Sequence, residues 1–299
     1  MEGRSDSWPI VVGVDGSEQS HHALAWAREE ARLRGTGVRA AHVWAPPVPV
    51  SEFAAMAAPI DIEVYEKLAH GVVDDAVADI GGTAGGEVPV APRVVRGYPS
   101  TALCEQAEGA DLLVVGSRGH GGFAGLLLGS VSHQCVHHAT SPVAVVPLSA
   151  PMPDSSDVVV GVDGSDSSQI ALRWAAREAV LRAARLSVVH AWSTPYAVAP
   201  GGFGIGTLPV PEVLDESRAM LHALVDRTLT EVGDRPKDIE LLAVDDRPAR
   251  ALLERSAEAG LLVVGSRGHG GFAELMLGSV SHQCLHHARC AVVVVPHAR

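Results

Sequence analysis

The chain has 299 residues, of which 47% are hydrophobic and only 4% aromatic, and its formal net charge is −12. This composition excludes a disordered chain and fits two α/β domains of ordinary size. Acidic charge spread along the chain, with no block of Lys and Arg, argues against nucleic acid as a partner, and no apolar run approaches the length that spans a membrane.

An internal repeat organises the chain. IVVGVDGS at residues 10–17 returns as VVVGVDGS at 158–165, and the second copy runs 148 residues behind the first early in the repeat and 149 residues behind it later. A stretch rich in Pro, Ser and Asp lies between the copies and is typical of a linker. We therefore predict a first domain over residues 1–148, a linker over 149–156 and a second domain over 157–299.

Short apolar runs alternate with longer helical patterns in the first half. We predict strands at residues 10–14, 38–44, 90–95, 112–115 and 143–146, and helices at 19–34, 60–80, 100–109 and 130–139. Nearly continuous apolar strands are typical of parallel sheets covered on both faces. The prediction is two tandem Rossmann-like, doubly wound α/β domains, each with a five-stranded parallel sheet of order 3-2-1-4-5 flanked by helices.

The N-terminus and the cysteines indicate the compartment. Residues 1–9 lack a basic start followed by a long apolar segment, which predicts that there is no secretory signal. The four cysteines form no CxxC pair, so nothing favours an oxidising compartment. We expect reduced thiols and a cytoplasmic protein.

A glycine-rich loop follows the fourth predicted strand of each half. From residue 117 to 138 and from 266 to 287, 19 of 22 positions are identical, which exceeds what a simple turn requires. Gly116 and Gly119 carry no side chain that would block a ligand or forbid positive φ, so their loop could form an anion-binding concavity. Gly129 and Ser130 stand at the start of the next helix, where free amides favour a phosphate.

An aspartate ends the first strand of each half. Asp15 and Asp163 could accept a hydrogen bond from a ribose hydroxyl or an adenine amino group, and the alternative is a helix cap. We favour ligand contact because Ser17 and Ser165 are better placed to cap.

The glycine loops contain no Walker lysine, which argues against an ordinary P-loop ATPase. Positive charge for a phosphate could come instead from Arg118 and Arg267, or from His120 and His269, although solvated side chains are an equally ordinary reading.

Histidines surround a cysteine in the repeated SHQC(V/L)HH segment. On a helix His133 and His137 share a face that could hold a metal, but the motif offers no third ligand at a suitable spacing. We therefore predict no metal site, and we find no set of residues typical of nucleophilic catalysis.

Three features together resemble a universal stress protein domain in each half. They are Val-Asp-Gly-Ser after the first strand, His-Val-Trp or His-Ala-Trp ending the second, and G-x2-G-x9-G-S after the fourth. The resemblance covers essentially the whole chain and is to the ATP-binding branch of the family, in a tandem form common in actinobacteria.

The resemblance implies one ATP per domain, accompanied by Mg²⁺ or Mn²⁺. Its contacts in the first half would be Asp15, Val43, Gly116, Gly119, Gly129 and Ser130, and in the second half Asp163, Ala191, Gly265, Gly268, Gly278 and Ser279. Val43 and Ala191 would act through backbone atoms toward adenine. The family's pairing of last strands, here residues 143–146 and 292–295, implies a pseudo-dimer within the chain and leaves a homodimer possible.

Three functional hypotheses follow. The leading one is a stress-response regulator that acts through nucleotide-dependent conformation or partner binding. The second is a slow ATP hydrolase or self-phosphorylating enzyme, with Ser130 or Ser279 close to the γ-phosphate, although no adjacent general base is evident. The third is a partner-binding protein whose glycine loops hold no ligand.

Overall fold

The fold is described from a computed structural model that covers residues 10–46, 61–81, 88–120, 128–154, 156–192, 210–233, 235–268 and 277–297. The chain divides into a first unit, Met1–Leu148, and a second unit, Ser149–Arg299. The assignment of residues 149–156 as a linker stays a prediction.

The first unit alternates strands and helices. In chain order they are β1 (Ile10–Gly13), α1 (Glu18–Arg34), β2 (Val38–Trp44), α2 (Ile62–Asp79), β3 (Val90–Arg96), α3 (Pro99–Gln106), β4 (Leu112–Gly116), α4 (Ser130–His138) and β5 (Val143–Val146). The predicted elements all lie within a few residues of these bounds. The largest difference is at α3, which ends before its predicted limit because the chain turns there, with Gly109 at φ 73°.

The second unit repeats this order. Its elements are β6 (Val158–Gly161), α5 (Asp166–Leu181), β7 (Leu186–Trp192), α6 (Val210–Val232), β8 (Ile239–Asp245), α7 (Pro248–Arg255), β9 (Leu261–Gly265), α8 (Ser279–His287) and β10 (Ala291–Val295).

Each unit has a parallel sheet. In the first unit β1 pairs with β2 and β4, β2 pairs with β3, and β4 pairs with β5, which gives the order β3-β2-β1-β4-β5. The second unit has the corresponding pairings and the order β8-β7-β6-β9-β10. The predicted fold class is confirmed.

The core of each unit lies at its central strands. In the first unit β4 and β5 are buried along their whole length, as the nearly continuous apolar runs predict. The edge strand β3 is partly exposed and contains Pro92. A proline has no N–H to donate, and an edge strand tolerates it because only one of its sides is paired with another strand.

The order of the strands positions the site. Because β1 and β4 are neighbours and parallel, the loops that follow them leave the sheet at the same edge. The strand order also reverses between these two strands, which is where doubly wound sheets form a crevice.

Candidate nucleotide site

A cavity of about 500 Å³ lies at this crevice in the first unit, and one of about 480 Å³ lies at the corresponding place in the second. Both volumes are in the range of small-molecule sites. The structure brings all the predicted contact residues to these cavities. The first is lined by Asp15, Val43, Gly116, Gly119, Gly129 and Ser130, and the second by Asp163, Ala191, Gly265, Gly268, Gly278 and Ser279.

Asp15 is positioned by the turn between β1 and α1. Gly16 has φ 82°, a left-handed conformation that glycine adopts readily, and Ser17 then caps α1 by accepting a bond from the amide of Ser20. Asp15 Oδ1 accepts bonds from the amide of Ser17 at 3.0 Å and from its hydroxyl at 2.6 Å. As predicted, the serine is the helix cap, and the aspartate lies two residues before it, outside the helix.

The other oxygen of Asp15 joins this turn to the glycine loop. Oδ2 accepts a bond from the amide of His120 at 3.1 Å. A Cβ added to Gly119 would lie only 2.1 Å from Oδ2, so the carboxylate occupies the space that a side chain would need. In the second unit a Cβ on Gly268 would lie 2.4 Å from Asp163 Oδ2. The second glycine of each loop is therefore matched to the aspartate.

The first glycine of each loop has a different neighbour. A Cβ on Gly116 would lie 3.1 Å from the carbonyl oxygen of Gln19, and one on Gly265 would lie 2.5 Å from Ser167 Oγ. Gly116 and Gly119 do not adopt the positive φ that the sequence left open to them. Near the cavities, positive φ occurs at Gly16 and, in the second unit, at Gly164. Close packing explains these loop glycines.

Hydrogen bonds outweigh burial in setting the pKa of Asp15. Burial raises its pKa, but the bonds from the Ser17 side chain and amide, the His120 amide and Ser20 outweigh burial, so the pKa lies below its ordinary value. The carboxylate is therefore ionised at neutral pH and is a weak base.

The start of α4 faces the same cavity. Gly129 is the residue before the helix and has no side chain, so the first turn receives no side-chain cap. The amide of Gly129 donates to the carbonyl of Ser117 at 2.7 Å, and Ser132 Oγ donates to the carbonyl of Gly116 at 2.6 Å. These bonds fasten the helix to the end of β4 and leave its positive end beside the cavity, an arrangement suited to an anion.

The second unit reproduces this helix start. The amide of Gly278 donates to the carbonyl of Ser266 at 2.8 Å, and Ser281 Oγ donates to the carbonyl of Gly265 at 2.6 Å. Again no side chain caps the helix.

Arginine and histidine side chains complete the polar wall. Arg118 and His120 line the first cavity, and Arg267 lines the second. No ion pair engages either arginine within the described ranges. The predicted partner His269 lies outside the described residues. Each cavity thus combines a carboxylate with a guanidinium.

Each cavity also has an apolar wall, and sequence reasoning missed it. Leu103 of α3 packs against β1 so closely that a Cβ on Gly13 would lie 2.8 Å from its Cδ1. Leu252 has the same relation to Gly161 in the second unit. The recurrence of leucine at matching places in the two halves was the available signal. Such a wall suits the flat face of a base.

A histidine holds the end of β2 against β1. His42 Nδ1 donates to the carbonyl of Val14 at 2.7 Å, and His190 Nδ1 donates to the carbonyl of Val162 at 2.9 Å. These bonds hold Val43 and Ala191, the next residues along, in the lining of their cavities.

The described residues contain no group of three or more His, Cys, Asp or Glu side chains that could hold a metal ion. Nor does any helix in the described part of the chain have the length and apolar character needed to cross a bilayer.

Comparisons with known proteins agree with the two-unit architecture. A model described as the universal stress protein family matches residues 9–147 and 156–296. Universal stress protein Rv1996 of Mycobacterium tuberculosis is 35% identical over 310 aligned residues, which cover 98% of this chain and 96% of that protein.

Solved structures were compared as well. A universal stress protein from Archaeoglobus fulgidus DSM 4304 is similar in fold, with a TM-score of 0.64, 21% identity and 97% of each chain covered. A universal stress protein solved in complex with cAMP is 32% identical and has a TM-score of 0.36, with 48% of this chain and 98% of that chain covered.

Proposed function

This chain belongs to the universal stress protein family, and from that premise we propose that each of its units binds one ATP. The observation that carries the proposal is that both units place an aspartate, an uncapped helix start and an arginine around a cavity of nucleotide size.

The phosphates would lie at the start of α4 in the first unit. The amides at the first turn of this helix have no side-chain cap, and Arg118 lines the same wall. A chain of phosphates would therefore meet the positive end of the helix and a guanidinium together. Ser279 and Arg267 offer the same surroundings in the second unit.

The nucleoside would lie toward Asp15 and the apolar wall. Asp15 is ionised and lines the cavity, so it can accept a bond from a ribose hydroxyl or an adenine amino group. Leu103 and Val43 would contact the base. Mg²⁺ or Mn²⁺ would enter with the phosphates, which bind these hard cations through oxygen.

A regulatory role is favoured by the position of Asp15. Its carboxylate connects the turn after β1 to the loop after β4 through the amide of His120. A ligand hydroxyl that competes for this oxygen would loosen the connection, so nucleotide binding would change the loop's conformation. We propose that the protein acts in the stress response by offering different surfaces to a partner with and without nucleotide, in the cytoplasm.

A slow hydrolase is the second candidate. Ser130 lies at the proposed phosphate end, but Asp15 is a poor general base because its pKa is below the ordinary value. Measuring ADP release over many turnovers separates the two functions. Sustained release that disappears in a Gly119→Ala, Gly268→Ala protein would favour the enzyme.

The binding proposal is tested by calorimetric titration of the full chain with Mg-ATP. We expect two equivalents for the parent, one after Asp15→Ala and none after Asp15→Ala with Asp163→Ala. At a hundred times its dissociation constant, each nucleotide would add about 2.7 kcal/mol of stability, which a thermal melt would detect.

Asp61→Ala is the matched control. Asp61 caps α2 by accepting a bond from the amide of Glu63 at 3.1 Å, but it does not line the cavity. Its loss should lower stability and leave two equivalents. A parent that binds no nucleotide, or an Asp61→Ala protein that loses as much binding as Asp15→Ala, would refute the proposal. Titration with cAMP in parallel would show whether the triphosphate is required.

A further inference from the structure

A pair of histidines lies on α4, outside the cavity. His133 and His137 are one helical turn apart, and their Nε2 atoms are 3.2 Å apart. Their ring centroids are farther apart, at 4.3 Å, so the two rings lean together at their Nε2 edges. We propose that this pair, and its counterpart His282 and His286 on α8, each bind a divalent transition-metal ion of the Zn²⁺ class.

The separation of the nitrogens fits a metal. Zn²⁺ binds imidazole nitrogen at about 2.0–2.1 Å, so two nitrogens 3.2 Å apart around one ion subtend about 100°. This is close to the tetrahedral angle. The same separation also serves a hydrogen bond between the rings, which the pair makes in the structure. A bound ion would replace that bond, with the proton on Nε2 of the donor ring moving to its Nδ1.

The helix itself favours a cation at this place. α4 ends at His138, so His137 stands in its last turn, where the exposed carbonyls carry partial negative charge. The net charge of −12 acts in the same direction at longer range.

The second unit repeats the geometry. The rings of His282 and His286 have centroids 4.4 Å apart and planes inclined by 39°, compared with 4.3 Å and 42° in the first unit. His282 is exposed and His286 partly so, which leaves the pair accessible to an ion.

Two histidines do not close a coordination shell, which is why the sequence motif by itself predicted no metal site; the convergence of the two Nε2 atoms is what the structure adds. The described residues offer no third ligand of the usual types nearby, so water would fill the remaining positions. The site is therefore of an open kind, able to exchange its metal or to take a ligand from a partner. Imidazole ligands suit Zn²⁺, Ni²⁺ and Cu²⁺ and do not suit Mg²⁺.

The test is titration of the metal-free full chain with Zn²⁺ in the absence of nucleotide. We expect two equivalents for the parent, one after His133→Gln and none after His133→Gln with His282→Gln. Because this readout uses no nucleotide, its failure would leave the ATP proposal untouched. Circular dichroism verifies folding, and His137→Gln with His286→Gln gives an independent pair of variants.

His138→Gln with His287→Gln is the matched control. These residues adjoin the pairs on the same helices but lie on another side, with His138 and His137 rings 6.4 Å apart. The protein that carries both control substitutions should still bind two equivalents of Zn²⁺. Titration with Co²⁺ adds the ligand type, since a thiolate charge-transfer band would indicate cysteine instead of histidine. A thiolate band, a parent without two equivalents, or equal losses in the control and the test variant would overturn the proposal.

Discussion

Gly119→Ala tests the contact between the glycine loop and Asp15. The added Cβ would lie 2.1 Å from Asp15 Oδ2, where ordinary contact begins near 3.4 Å, so the carboxylate and the loop must separate by more than an ångström. The bond from the amide of His120, now 3.1 Å long, cannot survive that movement.

The expected loss follows from that bond. Hydrogen bonds to charged groups contribute about 1.5–3 kcal/mol, and solvent around this one reduces the figure to about 1–2 kcal/mol. Each kcal/mol lowers the melting temperature of a unit this size by about 2–4 °C. Differential scanning calorimetry of the full chain measures the shift.

A double-mutant cycle identifies the cause. In an Asp15→Ala background the added Cβ of Gly119→Ala meets no carboxylate, and the stiffer unfolded chain even favours folding slightly. We therefore expect Gly119→Ala to destabilise the parent and to be nearly neutral in the Asp15→Ala protein. Equal losses in both backgrounds would refute the steric explanation.

Further predictions concern acid stability, thiol reactivity and helix α2. Because the pKa of Asp15 lies below its ordinary value of 3.8, its contribution to stability is present above that value and is lost as pH falls toward the folded pKa. Below about pH 4 the free energy of unfolding of Asp15→Asn should therefore fall less steeply with decreasing pH than that of the parent. A hydrogen bond with Cys135 lowers the pKa of the half-buried Cys104, while the other three cysteines are buried. A thiol reagent should therefore modify Cys104 first, and Cys104→Ser should abolish the fast phase of thiol modification. Gly71→Ala in α2 has open space for its Cβ and should stabilise by about 0.5–1 kcal/mol in thermal melts, whereas Gly35→Ala, also in open space but at φ 62°, should destabilise.

These predictions have clear contrary outcomes. Acid curves that coincide for the parent and Asp15→Asn would mean that the carboxylate is not stabilised by its bonds. Four thiols reacting at one rate would contradict the burial of the other three. Equal changes in stability for Gly71→Ala and Gly35→Ala would show that backbone conformation does not decide the effect of these substitutions.

The sequence by itself determined the elements and their repetition. Apolar runs such as 112–115 are typical of strands in a sheet covered on both faces, and Ser17 and Ser165 are the capping residues that a helix start prefers, so local patterning is enough. The same holds for the loops that carry Asp15 and Gly119, since parallel strands deliver them to one edge of the sheet, but not for the leucines of the cavity lining.

Only the tertiary structure decided what those residues touch. The match of Gly119 to Asp15, the leucine wall, and the convergence of His133 and His137 at their Nε2 atoms depend on distances between groups that are remote in sequence or on the rotation of side chains. Periodicity records which side of an element faces inward, but it carries no information on which atom of a neighbouring element lies there. For that reason the sequence identified the loop glycines, while only the structure showed that a side chain at Gly119 would collide with Asp15.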